Sequence, residues 1–273
     1  MKTHLLIIDP QNDFCDPKGS LFVPGADADM ERLARMVLRL KDKLDDIHVT
    51  LDSHRKVDIS HPIWWQDSRG THPSPFTLIT VADVESGRWT TAVPSFHQRS
   101  LEYLRALDAT GRYPHIIWPE HCLIGDAGHN VAPVLAAAIH EWEERFAQAD
   151  FVTKGSNPWT EHFSAVKAEV PDPEDPTTQV NAGLIQTLED ADLVLLAGEA
   201  STHCVLNTVA DIAHCFGDPK TIEKLVWLTD ATSPVPDPPN TTIFSDKLKE
   251  VHAQLVAKGM KTATTADFLR KAA

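Results

Sequence analysis

The chain has 273 residues, 42% of them apolar and 23% charged, an ordinary make-up for one sizeable globular unit. Its formal net charge of −14 repels phosphate backbones and anionic lipid headgroups, and no Lys/Arg-rich run offsets it, so nucleic acid and membrane surfaces are excluded as expected partners. The cysteines, Cys15, Cys122, Cys204 and Cys215, show no C-x-x-C spacing; a reduced, cytoplasmic protein is expected, its thiols either core residues or reactive groups.

In chain order, Leu5–Ile8 is the first apolar run, too short for a leader or a membrane span, and Asp9 ends it. Residues 28–43 place Met30, Leu33, Met36, Val37 and Leu40 at helical spacing, with Arg and Lys between them. Ile47–Leu51 predicts a second strand. Residues 62–114, rich in Trp, Pro, Ser and Thr, break the rhythm and read as an insertion within a single domain, either a lid or an interface element. Residues 131–148 predict a long helix with Val131, Val134, Leu135, Ile139 and Trp142 inward, and Phe151–Thr153 a short strand. Leu193–Ala197 is apolar without alternation, as a strand covered on both faces should be. A helix over 202–215, a strand over Leu225–Thr229, a helix over 244–258 and a last strand over Lys261–Thr264 follow. Residues 171–178 and 233–240 are Pro-rich surface loops. Alternating strands and helices of this kind predict an α/β sandwich with a mostly parallel sheet and helices on both faces.

In such sheets, ligands bind beyond the carboxyl ends of the strands. Asp9, then Asp52 and His54, then Lys154, and then the segment 198–204 with Cys204 each follow an apolar run. Cys204 stands at the start of a helix, where backbone N–H groups stabilise a thiolate or an oxyanion. Taken singly, Cys204 would be an inert buried thiol, Asp9 a cap or turn residue and Lys154 a solvated lysine. Taken together, Asp9 is a general base for the Cys204 thiol, and Lys154 offsets the Asp9 charge and lowers the thiol pKa. Asp52 and His54 share one face of an extended strand end and can occupy two positions around a cation, though D-x-H alone is a weak signal.

The segments IDPQNDF, TKGSNP and GEASTHCV resemble the three catalytic segments of the nicotinamidase and isochorismatase-like cysteine hydrolases. D-x-H and WPEHC resemble the metal segments of nicotinamidases in particular. The resemblance implies a three-layer α/β sandwich around a six-stranded, mostly parallel sheet. It implies a catalytic set of Asp9, Lys154 and Cys204, and a cis peptide before Ala200 that makes an oxyanion hole from the N–H groups of Ala200 and Cys204. It also implies a divalent metal on Asp52, His54 and His121, Zn²⁺ first and Fe²⁺ or Mn²⁺ next, bound to the pyridine nitrogen of the substrate. Phe14 and Trp118 match residues packed against the ring, and His203 matches a residue at the pocket edge; core packing is the other reading for the two aromatics. Asp58, Ser60 and His61 fall where some members carry a further polar metal ligand, and either Ser60 or His61 could serve. The implied reaction is hydrolysis of nicotinamide to nicotinate and ammonia through a thioester. Members are often homo-oligomers.

Two departures keep a second substrate class open. The segment 62–114 is long, and Trp159 and His162 stand where the family more often has smaller or acidic residues. A related amidase for another small amide, carbamoyl or ureido compound is therefore the alternative. A non-catalytic protein on the same fold is a third reading, against which the complete Asp–Lys–Cys set argues.

Overall fold

The computed structural model describes residues 1–216, 219–238 and 240–269; position 239 of the expected 233–240 loop lies outside them. The elements in order are β1 (Thr3–Ile8), α1 (Asn12–Cys15), α2 (Ala26–Leu40), β2 (Asp46–Asp52), β3 (Trp65–Gln66), α3 (Val81–Glu85), β4 (Thr90–Thr91), α4 (His97–Thr110), α5 (Pro133–Glu143), β5 (Asp150–Lys154), α6 (Ala182–Glu189), β6 (Leu193–Gly198), α7 (Cys204–Cys215), β7 (Leu225–Leu228), α8 (Ile243–Ala257) and β8 (Lys261–Ala263). Six strands form one sheet in the order β5-β2-β1-β6-β7-β8, and every pairing within it is parallel.

The two faces of the sheet follow from strand periodicity. Leu5 and Ile7 of β1 join Ile47, Val49, Leu195 and Ala197 under α2 and α5. Leu6 and Ile8 point the other way and join Val194, Leu196 and the helices α6, α7 and α8. The chain is thus a three-layer α/β sandwich, as expected. Met30, Leu33, Met36, Val37 and Leu40 are all buried, so the apolar stripe of α2 faces the sheet. The helix expected over 131–148 stops at Glu143, because Phe146 turns to a φ of 63°. It buries Leu135, Ile139 and Trp142, while Val131 and Val134 are partly buried against the same cluster.

Residues 62–114 lie outside the six-stranded sheet. They form the two-stranded antiparallel sheet of β3 and β4, with α3 and α4, which the sequence pattern does not announce. Their apolar side chains make a third cluster that includes Trp64, Trp65, Leu104 and Leu107. No helix among the described residues is long and apolar enough to cross a membrane.

The parallel register delivers the chemistry to one rim. Asp52 is the ladder partner of Lys154, and Ile8 is the partner of Gly198. Gly198 has a φ of +110°, and a Cβ there would lie 2.0 Å from the Ile8 carbonyl oxygen, so only glycine lets β6 leave the sheet this close to β1.

Candidate active site

Asp9 follows β1 directly and holds a φ of 46°, a region that side chains with a Cβ rarely occupy. Its N–H donates to the Thr50 carbonyl at 3.1 Å, and the Thr50 hydroxyl donates to Asp9 Oδ1 at 2.5 Å. Lys154, the last residue of β5, places Nζ 3.0 Å from Asp9 Oδ2, 3.0 Å from Asp52 Oδ1 and 3.7 Å from Cys204 Sγ. The same ammonium donates to the His162 carbonyl at 2.9 Å. One ligand-type atom each of Asp9, Asp52 and Cys204 lies within 4.8 Å of the others. The four strand-end groups therefore converge.

Cys204 begins α7, so its N–H has no partner inside the helix. The Glu199–Ala200 peptide is cis, and Ala200 lies beside Cys204 in the cavity wall. Burial pushes the Cys204 thiol well above its ordinary range; Lys154 opposes this, but nearby Asp9 and Asp52 add to it. Lys154 alone does not make a resting thiolate, because the sulfur is desolvated and sits among two carboxylates. Burial also raises the Asp9 carboxyl, against the pull of Lys154, which suits it to accept and return a proton. Burial disfavours the charged Lys154, yet Asp52 and Asp9 hold its pKa well up, so it stays an ammonium.

Asp52 links this group to a second cluster. Its Oδ2 lies 3.1 Å from His54 Nε2 and 3.6 Å from His121 Nε2. The backbone sets these positions: His54 N–H donates to the Cys122 carbonyl, and Ile124 N–H donates to the His54 carbonyl, which lays the WPEHC segment along the end of β2. His121 Nδ1 is 2.8 Å from the Pro119 carbonyl, and a carbonyl can only accept, so the proton is on Nδ1 and the Nε2 lone pair is free. His54 Nδ1 lies 3.1 Å from Asp58 Oδ2, and that carboxylate fixes its proton in the same way. Two imidazole lone pairs and a carboxylate then face one another within 4.8 Å. Burial works against charge here, but Asp52 and Asp58 force the His54 pKa well up in the absence of any other cation. Burial likewise works against the Asp52 charge, yet His54 and Lys154 hold that carboxyl well below the ordinary range. This donor set fits a divalent ion.

Ser60 and His61 separate clearly. The Ser60 hydroxyl donates to Asp58 Oδ1 at 2.8 Å and so serves the Asp58 carboxylate. His61 is buried, with ring centroids 5.2 Å from His54 and 5.6 Å from His121. Its Nδ1 is 3.3 Å from the Lys56 carbonyl, and its Nε2 is buried without a hydrogen-bond partner. Burial, then the neighbouring His54 and His121, push its pKa down to about 4, so it is a neutral donor.

Between the two clusters lies a narrow cavity of about 30 Å³. Phe14, Trp118, His203, Ala200 and Cys204 line it, with Asp52 and His121 at one end. The Phe14 ring stands edge-on to His121 at 5.4 Å. His203 stacks on Tyr113 and, fully desolvated, has its pKa lowered to about 3, so it presents a neutral wall.

Gln11, Asp13 and Glu161 also hold the site together, without a role legible in the sequence. The Gln11 carboxamide clamps the Asp52 backbone, donating to its carbonyl and accepting its N–H, both at 2.7 Å. Asp13 Oδ2 accepts the Cys122 N–H at 2.6 Å and so ties the QNDF segment to WPEHC. Glu161 lines the cavity and accepts the Trp118 indole N–H at 3.1 Å; burial raises its pKa to about 7. Of the two departures noted after Lys154, Trp159 packs away from the cavity against Trp64, Phe96 and Arg99. His162 contributes its carbonyl to Lys154 and accepts the Gly155 N–H on Nδ1 at 3.2 Å.

No family model matches the chain, and no curated protein matches it in sequence. Solved structures do share its architecture. A nicotinamidase/pyrazinamidase from Acinetobacter baumanii is 21% identical with a TM-score of 0.63, over 98% of each chain. A pyrazinamidase of Pyrococcus horikoshii, solved in complex with zinc, is 17% identical with a TM-score of 0.54, over 97% of this chain and 99% of that one. An isochorismatase-like hydrolase from Alkaliphilus metalliredigens is 17% identical with a TM-score of 0.53, over 98% of each chain. The fold is that of the isochorismatase-like hydrolases. At these identities the likeness carries the architecture, and the chemistry rests on the side chains described above.

Proposed function

We propose that the protein is a metal-dependent cysteine amidohydrolase that converts nicotinamide to nicotinate and ammonia. The observation that carries this reading is the convergence of Asp9, Lys154 and Cys204 beside a three-donor cage of Asp52, His54 and His121, across a narrow cavity lined mostly by aromatic and apolar side chains. The mostly apolar walls, with Phe14, Trp118, Phe163 and His203, favour an aromatic amide over a ureido compound, whose polar faces would find few partners there. The two structural relatives named for pyrazinamidase activity support the same class, and the zinc in one of them supports Zn²⁺ over Fe²⁺ or Mn²⁺.

In this mechanism the ring lies between Phe14 and Trp118, with its carboxamide carbon facing Cys204 Sγ. Asp9 takes the thiol proton as sulfur attacks, and the Lys154 ammonium offsets the charge that forms. The N–H groups of Ala200 and Cys204 hold the oxyanion. The C–N bond breaks, Asp9 returns the proton to the nitrogen, ammonia leaves and a thioester remains. Asp9 then deprotonates a water, which attacks the thioester and releases nicotinate and the thiol. Asp52, His54 and His121 would hold the cation, with the neutral His61 as a further donor. When bound, that ion orients and polarises the ring through its nitrogen.

Asp58 is expected to tune this cage through His54. Asp58→Ala should weaken Zn²⁺ binding roughly 10–100-fold, as loss of a ligand's carboxylate partner commonly does. Competition with a chromophoric chelator reads this directly, and unchanged affinity would contradict the role.

The reading as a whole is tested by ammonia release from nicotinamide, pyrazinamide and simple ureido compounds, with and without chelator. The expected result is turnover of the two ring amides, lost on chelation and restored by Zn²⁺. Ammonia from the ureido compounds alone, or turnover indifferent to chelator, would contradict it.

A further inference from the structure

The cavity is closed at two ends and apolar at a third. Asp9 and Lys154 lie behind Cys204, with side chains 0% and 1% exposed, and neither reaches the cavity wall. A leaving amine that takes its proton from Asp9 must approach that buried ion pair. The second end is Asp52 and His121. Part of the remaining wall is Leu21, Val23 and Val235, beside Phe14, Trp118 and Phe163, and the same three aliphatic residues also line an outer, mostly apolar groove of about 450 Å³. Phe22, Phe76 and three prolines also line the groove, with Asp237 as its one charged residue. Phe76 is half exposed there, and its ring meets Trp118 edge-on at 5.9 Å. The inner cavity and the outer groove are therefore neighbouring compartments that share one wall.

We propose that the outer groove is a substrate subsite for an apolar substituent on the ring of a primary carboxamide. This rests on the amidase reading given above. With the ring nitrogen turned to the Asp52–His121 end and the carboxamide carbon on Cys204, C2 of the pyridine lies between the two anchors. The atom opposite C2, which is C5, then points away from both, toward Leu21, Val23 and Val235. A substituent at C5 passes that wall into the groove. A substituent on the amide nitrogen points instead at Asp9 and Lys154. The substrate class is thus a 5-substituted nicotinamide-like primary amide, with plain nicotinamide as its smallest member.

The test is steady-state hydrolysis by the Zn²⁺-loaded full-length protein of nicotinamide, 5-phenylnicotinamide and N-methylnicotinamide, in the wild type and in Phe22→Asp. The expected result is a KM for the 5-phenyl compound roughly tenfold below that for nicotinamide, from partial burial of the added ring. Phe22→Asp should raise the 5-phenyl KM by a similar factor and leave nicotinamide unchanged, and N-methylnicotinamide should release no methylamine. The same ranking is expected in calorimetric Kd values for nicotinate and 5-phenylnicotinate on Cys204→Ala, where no turnover occurs. Turnover of nicotinamide with rejection of the 5-phenyl compound, or a Phe22→Asp effect equal on both substrates, would overturn the subsite alone. Silence on every amide would overturn the amidase reading and the subsite with it.

Discussion

Cys204→Ala is expected to abolish ammonia release while leaving the fold intact. The Cys204 side chain is buried at the start of α7, with its sulfur 3.7 Å from the Lys154 ammonium, and its replacement by alanine removes one sulfur atom from the edge of the apolar cluster. Cys15 and Cys122 cannot replace it: both are buried outside the cavity lining, and burial raises both thiols further. In other enzymes, losing the nucleophile of such a set lowers kcat by about 10⁶, which here means no detectable turnover. Ammonia assay alongside thermal unfolding checks both halves of the statement. A folded variant with measurable wild-type-like turnover would remove Cys204 from the mechanism.

Asp9→Asn is expected to separate thiol reactivity from catalysis. The asparagine keeps the shape and can still accept the Thr50 hydroxyl, but it can neither take nor return a proton. Turnover should fall roughly 10²–10⁴-fold, the usual contribution of a positioned acid–base group. The thiol should move the other way. Burial is the main cause of the high Cys204 pKa, and the Asp9 charge adds to it, whereas Lys154 opposes it. Removing the Asp9 charge leaves the Lys154 ammonium less opposed, so the pH midpoint of iodoacetamide alkylation at Cys204 should drop. A variant that is slower in both assays, with a midpoint that rises, would mean that Asp9 activates sulfur by some route other than proton transfer.

Much of the site was legible because a parallel sheet imposes a simple rule. Each chemical group that follows an apolar run lies at the same rim, so Asp9, Asp52, Lys154 and Cys204 could be grouped before their distances were known. What pairs them was not legible. The Gln11 clamp on Asp52 and the Asp13 hold on Cys122 join segments 41 and 109 residues apart, and one sequence carries no signal of such pairings. Glu161 carries no motif signal in the sequence, and only the fold sets it against the Trp118 indole. Position in a motif likewise could not choose between Ser60 and His61; in the structure the Ser60 hydroxyl already serves Asp58, whereas His61 Nε2 has no hydrogen-bond partner. The effect of Lys154 on the thiol was legible because a lysine is visible in sequence, whereas the desolvation and the two carboxylates that outweigh it are not. The segment 62–114 was legible only as a break in rhythm, since short elements such as β3 and β4 leave no periodic trace.

The central claim is that Cys204 sulfur carries the acyl group between the two halves of the reaction. Acid quenching of the Zn²⁺-loaded protein during turnover of nicotinamide, followed by peptide mass spectrometry, tests it most directly. A nicotinoyl adduct on the peptide that contains Cys204, present only while substrate remains and absent in Cys204→Ala, is the expected result. Steady turnover with no acyl adduct on that peptide, or an adduct on another residue, would contradict it.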